Sequence, residues 1–171
     1  MNLSLAGVKL RPLAGIAFIN HRDLLLMHSP PLSPFSPPQI QLDKHQNWCG
    51  LEGASRSLAL IQTACQSNKP LLVVTTGSLM AQQLETELQF FAKGKDLPIF
   101  YFPDWETLPY DHFSPHQDII SQRLYTLAQL PMLKHGIIIA PISTLMQRIA
   151  PTDYVQANSF ALKVNDHFDA H

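Results

Sequence analysis

The sequence predicts an α/β fold, an open parallel sheet of three or four strands with helices on both faces. Three short apolar, mostly β-branched runs predict buried strands, at residues 70–76, 98–102 and 137–140. Helical patterns separate these runs, over residues 79–92 and in a second helix that ends at Leu130. This alternation is typical of parallel strands joined by right-handed crossovers. A chain of 171 residues has room for one such domain, or for one domain and the start of a second.

The first 44 residues are expected to be disordered. Five prolines crowd residues 30–38, where they disfavour both helix and central strand. Pro31 and Pro34 form one P-x-x-P motif of the kind that partner domains bind, but a tail or linker is the preferred interpretation. A start codon assigned too early would explain residues 1–26.

The next stretch resembles a phosphate-binding loop of the form G-x-x-x-x-G-K-[ST]. Gly50 and Gly53 precede Ser55, Arg56 and Ser57 at the entry to a helix. Such a loop needs glycine where Ser55 stands and lysine where Arg56 stands, and only Ser57 keeps the hydroxyl that would hold Mg²⁺. We therefore expect no bound nucleotide and interpret the loop as degenerate. A divergent phosphate-loop ATPase that uses these residues is the alternative.

Two helices that precede the predicted strand at residues 98–102 have predicted buried faces. The first is expected to bury Leu58, Ile61 and Cys65. The second, over residues 79–92, is expected to bury Met80, Leu84, Leu88 and Phe91. Its predicted exposed positions are Gln82, Gln83, Glu85, Glu87 and Gln89.

The third helix has the clearest start signals in the chain. Ser114 is predicted as the N-cap, Pro115 as the first helical residue and Gln117 as the N3 partner of a capping box. Asp118 places a negative charge in the first turn, where the helix dipole favours it. The predicted buried face comprises Ile120, Leu124 and Leu127. A strand at residues 137–140 and a short helix over residues 143–149 follow.

Composition narrows the function. The formal net charge is -1, so no global basic field favours binding to the DNA backbone by this chain alone. Cys49 and Cys65 have no metal-site spacing and fit a reducing cytoplasm. No apolar run approaches the roughly 20 residues of a membrane span.

The loop after the second predicted strand carries the candidate binding residues. Asp104, Trp105 and Glu106 follow the strand as a magnesium-binding acidic pair would, but a solvated acidic loop is preferred. Trp105 and Tyr110 would suit base stacking, but they lack interleaved Lys or Arg. Packing of the loop onto the sheet is therefore the preferred interpretation.

No metal or catalytic site is predicted. His112 and His116 are four residues apart with Asp111 and Asp118 beside them, but Pro115 and the helix start separate the two histidines. Arg123 and Arg148 could pair with carboxylates in the loops of the sheet, but a surface or interdomain salt bridge is the preferred interpretation of both. The sequence shows no Ser/His/Asp or Cys/His arrangement typical of nucleophilic catalysis.

Two runs carry a family resemblance, DWETLPYDHFSPHQDIISQRL at residues 104–124 and IIIAPISTLMQRIAP at residues 137–151. They resemble the N-terminal module of the bacterial transcription-repair coupling factors. The resemblance extends over residues 32–169 and is strongest over residues 103–151. It implies a fold similar to the first domain of the excision-repair protein UvrB, with a phosphate-binding loop that has decayed.

The resemblance also implies a function in transcription-coupled nucleotide excision repair. The complete family protein displaces stalled RNA polymerase by ATP-driven translocation on DNA and recruits UvrA. Its ATP and Mg²⁺ bind in motor domains that this sequence does not contain. The residues that contact UvrA are expected beyond His171, so none is assigned here, and no partner-binding residue is predicted.

The resemblance divides the chain into three parts. Residues 1–44 are the proline-rich tail, residues 45–152 the UvrB-like domain, and residues 153–171 the start of an incomplete UvrA-binding-like domain. In the last part Val155, Phe160, Leu162 and Val164 are expected in strands. The chain is thus interpreted as a non-enzymatic, cytoplasmic fragment of a coupling factor. The product of an interrupted gene, with no function of its own, is another alternative.

Overall fold

A computed structural model describes residues 4–5, 8–9, 15–19, 32–41, 44–107, 112 and 114–158. Its strands are β1 (Ser4–Leu5), β2 (Val8–Lys9), β3 (Gly15–Ile19), β4 (Pro70–Thr75), β5 (Ile99–Tyr101) and β6 (Gly136–Pro141). Its helices are α1 (Ser55–Gln66), α2 (Ser78–Phe91), α3 (Gln117–Gln129), α4 (Ile142–Leu145) and α5 (Thr152–Asn158). A 3₁₀ turn, Leu130–Met132, follows α3 directly.

The predicted α/β fold is confirmed. The main sheet has the strand order β3-β4-β6-β5, and all of its neighbours pair in parallel. β4 and β6 are buried along their whole length, because helices cover both faces. β1 and β2 form a separate antiparallel pair.

The sheet separates two apolar cores. Leu71, Val73, Ile137 and Ile139 point to the face that α1 and α2 cover. Leu72, Val74, Ile138 and Ala140 point to the opposite face, against α3 and α5. This division follows from right-handed crossovers, since the chain moves from β4 outward to β5 and then returns to β6.

The prediction of disorder is wrong at residues 15–19. These residues form β3, which pairs in register with β4 from Gly15–Leu71 to Ile19–Thr75. The prolines on which the prediction depended lie only at residues 30–38, and they leave the apolar run Gly15–Ile19 free to pair.

The predicted start and buried face of α3 need correction. The N-cap is His116 rather than Ser114, and its side chain accepts a hydrogen bond from the backbone N–H of Asp118. Leu124 is 43% exposed, and the buried positions are Arg123, Thr126 and Leu127. The charge of Arg123 is accommodated by contacts inside the protein. An apolar pattern predicts only apolar residues on the buried face of a helix, so it does not predict this arginine there.

Three further side chains lie differently from the prediction. Cys65 is exposed, because α1 instead buries Ala64 and Leu60 against the sheet. Glu85 and Glu87 are half-buried, although they were predicted on the outer face of α2. Burial raises the pKa of Glu85.

The chain after β6 also differs from the prediction. α4 is shorter than the predicted helix over residues 143–149 and ends at Leu145. Val155 lies in helix α5 rather than in a strand, where it is 3% exposed and packs in the same core as α3. Phe160, Leu162 and Val164 lie outside the described residues, and the domain boundary at residue 152 stays a prediction. No helix of the described chain combines the length and the apolar character that crossing a membrane requires.

Candidate functional site

The topology indicates one edge of the sheet as the place for a site. We call this the carboxyl edge, because the parallel strands end there. β4 continues into α2 on one face, whereas its neighbour β6 continues into α4 and α5 on the other face. A crevice opens where the connections of adjacent strands diverge in this way, and ligands of open α/β sheets bind there. The candidate residues therefore follow β4, β5 and β6.

Arg123 is the central residue at this edge. It is 2% exposed, and its guanidinium lies between two aromatic rings, 4.3 Å from the centre of Phe102 and 4.1 Å from that of Trp105. The guanidinium also donates a hydrogen bond to the carbonyl oxygen of Pro103. The interpretation of Arg123 as a surface or interdomain salt bridge is therefore wrong. Arg148, in contrast, is exposed.

Burial lowers the pKa of Arg123 to about 10, and the nearby charge of Asp104 opposes that shift. Arg123 is still a cation at neutral pH. Its planar group suits the space between two rings, because it can stack on both and keep its N–H groups free at the rim. The arginine thus joins α3 to the loop that follows β5.

Asp104 joins the same loop to α4. Its carboxylate accepts hydrogen bonds from the Ser143 hydroxyl, from Gln147 Nε2 at 2.6 Å and from its neighbour Trp105 N–H at 2.8 Å. Burial raises the pKa of Asp104, but these hydrogen bonds and the charge of Arg123 outweigh burial and lower it overall. Asp104 is therefore half-buried and held by three hydrogen bonds, so the interpretation of a solvated acidic loop holds only in part for it. Glu106 remains exposed, with a left-handed backbone φ of 58°.

Trp105 finds the cation that its local sequence lacks. Its stacking partner is Arg123, which lies 18 positions further along the chain. The loop itself has no Lys or Arg beside Trp105. One ring face is thereby occupied inside the protein. Tyr110, the other half of the proposed stacking pair, lies outside the described residues.

The degenerate loop is occupied by the protein's own groups. Gly50 and Gly53 adopt left-handed φ values of 76° and 53°, and α1 begins at Ser55, whose hydroxyl donates to the carbonyl oxygen of Glu52. Ser57 is fully buried and donates its hydroxyl to the carboxylate of Glu87 on α2. The hydroxyl that would hold Mg²⁺ is thus engaged, and a carboxylate lies where phosphates would approach. These residues do not fit Mg²⁺ and ATP.

The histidine pair has separate roles in the described chain. His116 is exposed and caps α3, with its Nδ1 3.3 Å from the backbone nitrogen of Asp118. His112 is exposed, and Asp111 lies outside the described residues. Within the part that the structure describes, no three His, Cys, Asp or Glu side chains are placed to hold a metal ion together. Whether a metal binds elsewhere in the chain stays a prediction.

Sequence reasoning missed four polar residues of the carboxyl edge. Ser143 lies in α4 and Gln147 two residues past its end, and the i, i+4 spacing of the two was the available signal. Thr144 is fully buried, and its hydroxyl has no partner among the described residues. The Tyr101 hydroxyl is also buried, and burial raises its pKa, while Ser78 nearby opposes that shift. No local pattern marks Tyr101 or Thr144.

Comparison with known proteins identifies the relatives of this arrangement. The Haemophilus influenzae transcription-repair-coupling factor is 44% identical over 116 residues, which is 68% of this chain and 10% of that protein. The Escherichia coli K12 factor is 39% identical over 113 residues, 66% of this chain and again 10% of the relative. The chain is homologous to part of the transcription-repair coupling factors. The resemblance to this family is thus confirmed.

The homology covers a limited part of the coupling factors. The chain spans about a tenth of the length of these relatives, and the Rickettsia bellii coupling factor repeats the pattern with 32% identity over 103 residues. No protein-family model matches the chain.

Proposed function

We propose that this chain acts as the non-motor, UvrB-like module of a transcription-repair coupling factor, in transcription-coupled nucleotide excision repair. The observation that carries the proposal is the 44% identity to the Haemophilus influenzae factor over 116 residues, two thirds of this chain. The α/β fold with a degenerate loop at residues 50–57 is consistent with that module.

The partners follow from the same proposal. RNA polymerase, DNA and UvrA are the partners of the complete coupling factor, and its motor domains use ATP and Mg²⁺ to translocate on DNA. This chain itself is proposed to have no ATPase activity. The Ser57 hydroxyl donates to Glu87, so the loop has no free hydroxyl for Mg²⁺. Ser55 and Arg56 also stand where the reaction requires glycine and lysine.

This module is proposed to contribute a rigid surface for a partner rather than a catalytic group. Arg123 fixes the loop after β5 against α3 through buried contacts, and Asp104 fixes it against α4 through partly exposed hydrogen bonds. A rigid loop presents its outer residues, Glu106 among them, in one arrangement to a partner. Loss of the Arg123 and Asp104 contacts would then weaken repair, although no catalytic group is altered.

A segment exchange tests the proposal. The matched segment of the Haemophilus influenzae coupling factor is replaced by that of this chain, and the chimera is expressed in cells that lack their own factor. We expect faster repair of ultraviolet lesions in the transcribed strand than in the other strand. The Arg123→Ala chimera is the matched control with a disturbed carboxyl edge. Equal repair of both strands by a chimera that accumulates to normal levels and keeps its ATPase activity contradicts the proposal.

A further inference from the structure

The fold gathers lysines at the edge of the sheet opposite the candidate site. We call this the amino edge, because β4, β5 and β6 begin there. Four lysines lie in the connections that lead into these strands, with His135 beside them; they are Lys69, Lys93, Lys95 and Lys134. Asp96 is the one carboxylate in the same connections. A chain with a net charge of -1 thus has a locally basic edge.

Strand register places three of these lysines in a row. Pro70 pairs with Gly136, and Ile99 pairs with Ile137, so the beginnings of β4, β6 and β5 lie level across the sheet. Lys69 lies one residue before Pro70, Lys134 two residues before Gly136, and Lys95 four residues before Ile99. Neighbouring strands are about 4.8 Å apart, so the row extends over roughly 10 Å.

Two of these lysines border an open cavity of about 440 Å³. Lys95 and Lys134 line it together with His135, Asp96 and the polar side chains of Ser67 and Asn68. Lys95 and Lys134 are exposed and Lys69 is half-buried. Among the described residues, the ammonium groups of Lys69 and Lys134 have no ion-pair or hydrogen-bond partner, whereas Lys95 Nζ donates to Phe91 O at 3.0 Å. The Lys95 ammonium keeps two of its three N–H donors, so all three cations are available to a ligand.

The opposite edge carries charges of both signs. Glu52, Asp104, Glu106 and Asp118 lie at the carboxyl edge, but Arg56, Arg123 and Arg148 lie there too. The amino edge is thus the more basic of the two, and a polyanion is attracted to it. Lysine is a flexible point charge that suits phosphate groups, and a linear row of such charges matches a linear array of phosphates.

From this row of lysines we propose that the amino edge binds the phosphodiester backbone of duplex DNA without sequence preference. The contacts come from Lys69, Lys95 and Lys134, with Lys93 and His135 at the border. The net charge, which argued against DNA, averages the two edges and conceals this one. The proposal does not depend on the function proposed above.

The test uses the full chain and a fluorescein-labelled duplex of about 20 base pairs in roughly 20 mM salt. We expect a rise in anisotropy on binding and a log–log salt dependence with a slope of about -3, since three phosphates are neutralised. The triple variant Lys69→Gln, Lys95→Gln, Lys134→Gln is expected to bind DNA with an affinity at least about tenfold lower. All three side chains reach solvent, so circular dichroism should show an unchanged fold.

The matched control removes three other cations, in Lys44→Gln, Arg56→Gln, Arg148→Gln, and has the same net charge. It is expected to bind within about twofold of the wild type. Equal losses in both triple variants, or no binding by the wild type, overturn the proposal. It is also overturned if poly-L-glutamate displaces the labelled duplex as well as unlabelled duplex does, because the edge would then take an acidic protein segment.

Discussion

The guanidinium of Arg123 lies 4.1 Å from the centre of the Trp105 ring, although 17 residues separate the two along the chain. This stacking is one of several contacts that connect α3, the loop after β5 and α4 at the carboxyl edge. The same guanidinium donates to Pro103 O, and Asp104 accepts hydrogen bonds from Ser143 in α4 and from Gln147. A buried charge is costly unless it is paired and hydrogen-bonded. The loop after β5 and the helix α3 therefore depend on each other.

Removal of this arginine should destabilise the domain strongly. Arg123→Ala leaves the Pro103 carbonyl oxygen without its donor and opens a gap between two rings, so we expect a loss of about 3 kcal/mol in the free energy of unfolding. Arg123→Lys should lose nearly as much, because an ammonium cannot stack on both rings. Urea unfolding followed by circular dichroism measures both. The exposed Arg148→Ala is the control, with an expected change within about 0.5 kcal/mol. Equal stability of Arg123→Ala and Arg148→Ala would show that the stacking contributes nothing.

Asp104 should make the stability depend on pH in the acid range. Its pKa lies below the ordinary value of 3.8 in the folded state, despite the opposing effect of burial. Its contribution is therefore fully present above that ordinary value and is lost as the pH falls through the lower, folded pKa. Asp104→Asn removes the contribution, so the stability difference between wild type and variant should be constant near neutral pH and shrink below it. Unfolding curves from pH 7 down to about pH 3 measure it. A difference that grows on acidification contradicts the prediction.

The strands could be predicted from sequence because their signal is local. β4 and β6 are continuous apolar runs between proline or glycine, and a buried parallel strand needs nothing more. The positions of Arg123, Asp104 and Ser57 could not be predicted in this way, because their partners lie 20 to 43 residues away along the chain. A charged residue reads as exposed until its partners are known. β3 was missed for another reason, because the prolines at residues 30–38 suggested disorder for the whole tail although Gly15–Ile19 is an apolar run.

Gly136 should be intolerant of any side chain. Its φ is 136°, and a Cβ atom at this position would lie 2.5 Å from the carbonyl oxygen of Pro98. That oxygen accepts the N–H of Ile137, so it cannot move without breaking the contact between β5 and β6. We expect Gly136→Ala to lose about 3 kcal/mol of stability, by strain and by steric overlap. Gly77→Ala is the matched control, because nothing lies within 4 Å of its added Cβ and its φ is in the extended region. Similar melting temperatures for the two variants would exclude the predicted overlap.

Nucleotide should not bind at residues 50–57, even after the loop pattern is restored. Ser55→Gly and Arg56→Lys together recreate the glycine and lysine of a phosphate-binding loop. The Ser57 hydroxyl would still donate to Glu87, whose carboxylate repels phosphate. Calorimetry with millimolar ATP and Mg²⁺ should therefore show no heat of binding for the wild type or for the double variant.

Glu87→Gln added to the double variant separates the two causes of this loss. The amide removes the negative charge beside Ser57 and leaves the length of the side chain unchanged. Because the amide oxygen can still accept from the Ser57 hydroxyl, ATP affinity that first appears in this triple variant identifies the carboxylate charge as the cause. Continued absence of affinity identifies the engaged hydroxyl instead. Micromolar affinity in the wild type that Arg56→Ala abolishes would instead support the divergent ATPase. In that case Arg56, and not a lysine, would be the residue that reaches the phosphates.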